Sequence, residues 1–172
     1  MTESRQSRDC QVRDDESEAL VLAGYAATME AVQQFELALK NLAVQREDLP
    51  EGIDFDTAWN RVEKILRRPM GHLKDALPEG LTTRFPELKR IRNHLAHDML
   101  VRWRFERNLE LCDDREVVEG LIEVEREFRE LQQQMSAVAD QHLRDIGVTD
   151  TDMTRSDIRE IVLGGEGPRN ER

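Results

Sequence analysis

Along most of the chain apolar residues return every three or four positions, the spacing that lines one face of a helix. From Ser17 onward Leu20, Gly24, Ala27, Ala31, Phe35, Ala38 and Leu42 form a stripe, and Val21, Val32 and Leu39 widen it into a face that must be buried. Pro50 and Gly52 end this first long helix. Asp54 or Asp56 can cap the next, whose Phe55, Trp59, Val62, Leu66, Leu73 and Leu77 again follow helical spacing, with Pro69 expected to bend or divide it. Pro78, Gly80 and Pro86 punctuate a loop, and a third helix is expected from about Pro86 to Leu100.

After that helix the pattern changes. Val101, Trp103 and Phe105 alternate with Arg102, Arg104 and Glu106, and Leu109 and Leu111 resume the alternation after Arg107-Asn108, which predicts a small β-hairpin-like excursion. Asp113-x-x-Glu116 has the spacing of a capping box, and Val117, Leu121, Val124, Phe128, Leu131, Met135, Val138 and His142 then step by four and three. A helix of about thirty residues is about 45 Å long and needs a partner of similar length, which the first helix supplies. The fold expected is all-α: an up-down bundle of four to five helices with one β excursion, its first and fourth helices long. Residues 1–16, charged with almost nothing to bury, are expected to be a disordered leader; 17–147 the bundle; and 148–172 a short helix around Ile158, Ile161 and Val162 followed by a flexible tail.

Length and charge narrow the functions open to such a bundle. With 172 residues the chain has room for one ordinary domain. Its 25 basic and 36 acidic side chains give a net charge of −11, which argues against an indiscriminate nucleic-acid coat, so any phosphate contact must be local. The longest stretch free of strongly polar residues, Ala19 to Ala27, is nine residues, under half of what crosses a hydrocarbon layer. No membrane span is therefore expected, and the polar start predicts a cytoplasmic protein, in which Cys10 and Cys112 are free thiols.

One stretch breaks the acidic pattern. Between Arg84 and Arg107 seven basic residues face three acidic ones, giving +4 and leaving −15 for the rest. Lys89, Arg90, Arg102 and Arg104 are candidate phosphate contacts there; the bland alternative is that such charges solvate a helix face and guard a hairpin edge. On a wheel of about 100° per residue Leu88, Ile91, Leu95 and Met99 form the buried stripe, with Lys89, Arg90, Asn93 and His97 opposite. Asn93 and His97, four apart, share a face on which an amide could orient an imidazole. Arg92 borders that face, and Ala96 leaves a gap beside it. An imidazole can take the proton of a ribose 2′-hydroxyl, and a guanidinium can stabilise charge on a phosphate, so metal-free RNA cleavage is the chemistry these residues suit.

Arg92-Asn93-His94-Leu95-Ala96-His97 resembles the R-x4-6-H motif of the HEPN superfamily (higher eukaryotes and prokaryotes nucleotide-binding) and matches its common form Arg-Asn-x-x-Ala-His in full. The resemblance implies a helical bundle and a metal-independent endoribonuclease of a toxin–antitoxin or phage-defence system, without cofactor. It implies a homodimer in which two motifs share one cleft, with RNA as substrate and a cognate antitoxin protein as a further partner. Carried over by position, Arg92 contacts phosphate and transition state, His97 is the acid/base residue and Asn93 assists. In one subgroup a tyrosine two positions after the histidine is the target of silencing by nucleotidylation; here Met99 stands there, and Tyr25 in the first helix is more simply a packing residue.

Three other readings compete. His94, His97 and Asp98 could hold a divalent ion, but two histidines three apart with no further ligand set make a poor tetrahedral site, and no metal is expected. The bundle could instead be a non-catalytic dimerisation or nucleotide-binding module. It could also be an antitoxin or immunity partner whose acidic surface covers a basic toxin.

Overall fold

The computed structural model describes residues 3–48, 50 and 53–145, with side chains placed from Asp15 onward, Phe55 excepted. The short helix and tail expected within 148–172, and the Cys10 side chain, lie outside the described residues. Among those described, six helices occur: α1 (Glu3–Gln45), α2 (Phe55–Leu66), α3 (Glu79–Thr82), α4 (Phe85–His97), α5 (Met99–Asn108) and α6 (Asp114–Asp145). Two 3-10 turns, Met70–His72 and Lys74–Ala76, follow α2. No described helix is long and apolar enough to cross a membrane.

The expected stripes of the first helix and α6 supply most of the core, whereas in α2 Trp59 is exposed and Ile65, outside the expected stripe, is buried. On α6 Leu121, Phe128, Leu131 and Met135 are buried, with Val117, Val124 and Val138 packed against them. On α1 Val21, Ala31, Val32, Phe35, Ala38, Leu39 and Leu42 meet them, whereas Leu20, assigned to the stripe by spacing, is exposed. The Phe35 and Phe128 rings cross edge to face at 5.5 Å, a geometry worth about 0.5–1.5 kcal/mol beyond their burial. Thr28 is the one fully buried polar side chain among those described, and its hydroxyl lies 2.8 Å from the Gly24 carbonyl and 3.0 Å from that of Leu121. Its cost of burial is thereby offset.

The number and direction of the helices differ from the expected up-down bundle of four to five. Ser17 donates to Asp114 at one end and His142 meets the Gln45 carbonyl at the other, both pairs 97 residues apart, so α1 and α6 run parallel. The return path runs against α1: Arg46 donates to the Ala76 carbonyl, Arg92 pairs with Glu36, Tyr25 donates to the Leu95 carbonyl and Arg107 pairs with Glu18. The long elements are therefore up, down, up, the middle rod being divided into α4 and α5. As expected, Pro69 divides the second element: α2 stops at Leu66, and Leu73 and Leu77 fall in and after the 3-10 turns, both buried. α1 begins well before Ser17, since the Glu, Gln and Arg of the first residues carry good helix propensity and no proline interrupts them.

The β excursion is not found; residues 99–108 form α5, and the described residues include no strand. Met99 and Trp103, four apart, are buried while Val101 and Phe105, also four apart, face solvent, so the alternation resolves into two sides of a helix. Tertiary contact decides between the periods. Asp114 accepts from Trp103 Nε1 at 2.8 Å, from Arg107 Nε at 3.0 Å and from Ser17 at 2.6 Å, and Arg107 reaches Glu18 at 2.7 Å. The helix stops in a Schellman arrangement, Leu111 N–H to Glu106 and Glu110 N–H to Arg107, with Glu110 in the left-handed region at φ 56° where glycine is usual.

Burial would raise the Asp114 carboxyl, but the hydrogen bonds from Ser17 and Trp103 and the charge of Arg107 outweigh it and hold the group below its ordinary value. A depressed carboxylate stabilises the fold above the unfolded-state value of about 3.9 and loses that contribution as pH falls through the folded one. Asp114→Asn is expected to cost about 1.5–3 kcal/mol at pH 7 and to converge with the wild type only in acid well below about pH 4, under the lowered folded-state value, read by denaturant unfolding followed through tryptophan fluorescence. An equal gap at both pH values would show that Asp114 acts through shape rather than charge.

Candidate functional site

α4 forms because Phe85, Leu88 and Leu95 recur on one side and Pro86 occupies its first turn, where a missing N–H costs nothing. With that side inside, Lys89, Arg90, Asn93 and His97 are exposed, as the helical wheel predicts, and so is His94. The helix is broken at Asp98, whose N–H closes the last turn on His94 and whose carbonyl accepts from Arg102 N–H at 2.9 Å to start α5. Tyr25 steadies this break by donating to the Leu95 carbonyl at 3.0 Å, one of the last acceptors of α4, so the tyrosine does more than pack. His97, the final residue of α4, thus stands on a fixed corner, its ring nitrogens without a partner among the described residues.

Two shallow depressions adjoin at this corner, with Asp98 common to both. Pro86, Lys89, Arg90, Asn93 and His94 line the first, along α4. His97, Val101, Arg102 and Phe105 line the second, along α5. The Lys89 side chain crosses the 3-10 turn at Gly71, where an added Cβ would stand 3.1 Å from Nζ, so the glycine makes room for the ammonium. Arg102 is held by Glu106 at 2.7 Å, and Arg90 lies 4.0 Å from Glu87. Arg104 is exposed and lines neither depression.

Arg92 is placed differently from the rest. It leans off the exposed face toward α1, where its Nε donates to Glu36 at 2.6 Å; the two side chains are 33% and 17% exposed. Its other end donates to Asn93 Oδ1 at 3.3 Å. Asn93 therefore partners the guanidinium rather than the imidazole, and no hydrogen bond joins it to His97, a correction to the role expected from their four-residue spacing. Among the described residues no group of three or more His, Cys, Asp or Glu is arranged to hold a metal ion. Cys112 is a free thiol whose pKa burial pushes up.

The structure thus brings Lys89, Arg90 and Asn93 together, puts His97 beside Arg102 in the adjoining depression, holds Arg92 at the edge and leaves Arg104 apart. Sequence reasoning missed Glu36 and Tyr25, which fix Arg92 and the α4–α5 break from across the bundle. The one sequence signal for Glu36 is a carboxylate between Phe35 and Leu37 on the first helix, and it says nothing of a partner 56 residues away. Comparison with protein-family models, curated proteins and solved structures finds no match to this chain.

Proposed function

We propose that the chain is a HEPN-type, metal-independent endoribonuclease acting as a homodimer in the cytoplasm, in a toxin–antitoxin or phage-defence setting. The observation that carries this reading is the exposed His97, without a partner among the described residues, in a depression with Arg102 that adjoins one lined by Lys89 and Arg90. The imidazole takes the proton of a ribose 2′-hydroxyl, the freed oxygen attacks the neighbouring phosphorus, and the 5′-oxygen leaves with a proton, producing a 2′,3′-cyclic phosphate. Arg92, positioned by Glu36 and Asn93, stabilises charge on the phosphate oxygens.

A second copy completes the site. Arg92 and His97, five positions apart, diverge by about 140° around one helix, so a single α4 does not close both around one phosphate. Two copies placing their motifs face to face supply one imidazole to take the proton and another to give one. The exit of α5, where Leu109 and Leu111 are exposed, offers apolar surface for that contact. RNA is expected to be cut in excess chelator, and a single 2′-deoxynucleotide at the cut position to block the cut there; cleavage that disappears with chelator would overturn the reading.

The Glu36–Arg92 pair favours a second reading, a non-catalytic HEPN-like module, because the motif arginine is already neutralised. A protein of that kind would keep its function in a His97→Ala variant.

A further inference from the structure

We propose that the depression along α5 is a nucleobase subsite, in which Phe105 stacks on an unpaired base of the RNA beside the phosphate that His97 addresses. This rests on the ribonuclease reading and deepens it by assigning a specificity-determining residue. Phe105 is 66% exposed and Val101, one turn before it, 71% exposed; His97 lies a further turn back, and all three line the same depression. An aromatic ring left open to water beside a candidate acid/base group is an unfilled stacking platform, and every base has a π face to offer it.

Charge distinguishes what belongs in each depression. The depression along α4 is lined by two cations, Lys89 and Arg90, and one carboxylate, Asp98; Glu87 lies 4.0 Å from Arg90, so Lys89 is the cation left to draw a phosphate there. The one arginine lining the depression along α5, Arg102, is tied to Glu106, and Asp98 adds a further carboxylate, so no free guanidinium is left there to draw a phosphate and the open area is largely apolar. A strand crossing the corner at Asp98 would lay backbone over the first and a base over the second. Bases within a duplex have both faces covered by their neighbours, so this subsite selects positions that are unstacked.

The test uses the full chain and short 2′-O-methyl oligonucleotides, which cannot be cut through a 2′-hydroxyl, carrying 2-aminopurine at each position in turn. Wild type is expected to quench the fluorescence at one position. Phe105→Ala should lose the quench and bind about tenfold more weakly, and Phe105→Trp should retain both. Equal quench and affinity in the alanine variant overturn the subsite. So does sedimentation showing Phe105→Ala at half the mass of the wild type, because the face is then covered by a second copy. Since no cut is required, a wild type that fails to cleave RNA yet quenches through Phe105 would fault the ribonuclease reading and leave the subsite standing.

Discussion

His97→Ala is expected to lower RNA cleavage by about 10²–10⁴-fold, the range that a positioned acid/base group contributes. The side chain is exposed and has no partner among the described residues, so its removal creates neither a cavity nor an unpaired buried group there. Stability should therefore change by no more than about 1 kcal/mol, the size of the interaction of a basic residue with the end of α4. The pair of readouts separates chemistry from folding: activity falls by orders of magnitude while the unfolding midpoint stays. His97→Asn, which keeps a polar group but cannot exchange a proton near neutral pH, should be as inactive as alanine. A variant that cuts within tenfold of wild type would remove His97 from the reaction.

The second large effect is expected at Arg92. Arg92→Ala should reduce cleavage by about 10²–10³-fold, the usual loss when one donor to a developing oxyanion is removed. Arg92→Lys should not restore it, because an ammonium cannot span Glu36 and Asn93 while presenting a planar face to phosphate. Glu36 is a positioning residue in this account. Glu36→Gln keeps an acceptor for Nε and should retain most of the rate, whereas Glu36→Ala frees the guanidinium and should lose about tenfold in kcat with little change in KM. Adding Glu36→Ala to Arg92→Ala should cost nothing further, since both act through one group. A rise in activity on removing Glu36 would reverse the sense of the contact and make it an inhibitory one.

How much of this was legible in the sequence depends on the range of the interaction that decides each feature. The α6 seam is local: Leu121, Phe128, Leu131 and Met135 announce their burial by spacing alone, and the exposed face of α4 follows from the same arithmetic. The direction of α6 relative to α1 is not, because a heptad stripe is the same read from either end. α5 was misread for two physical reasons. Val-Arg-Trp-Arg-Phe satisfies period two as well as it satisfies pairs four apart, and the usual stop signal is missing because Glu110 occupies the left-handed position that glycine normally marks. What fixes the helix is Trp103 and Arg107 meeting Asp114 from across a turn. Within the motif, the outward placing of His97 was readable, but the choice of Arg92 rather than His97 as partner of Asn93 depends on Glu36 drawing the guanidinium toward α1.

The chemistry of the cut ends tests the central claim most directly. Purified wild-type protein, incubated with a mixed-sequence RNA in excess chelator, should leave 2′,3′-cyclic phosphate and 5′-hydroxyl termini by mass spectrometry, and the His97→Ala preparation should leave the RNA whole. Products ending in 3′-hydroxyl and 5′-phosphate, or fragments identical in the two preparations, would contradict it.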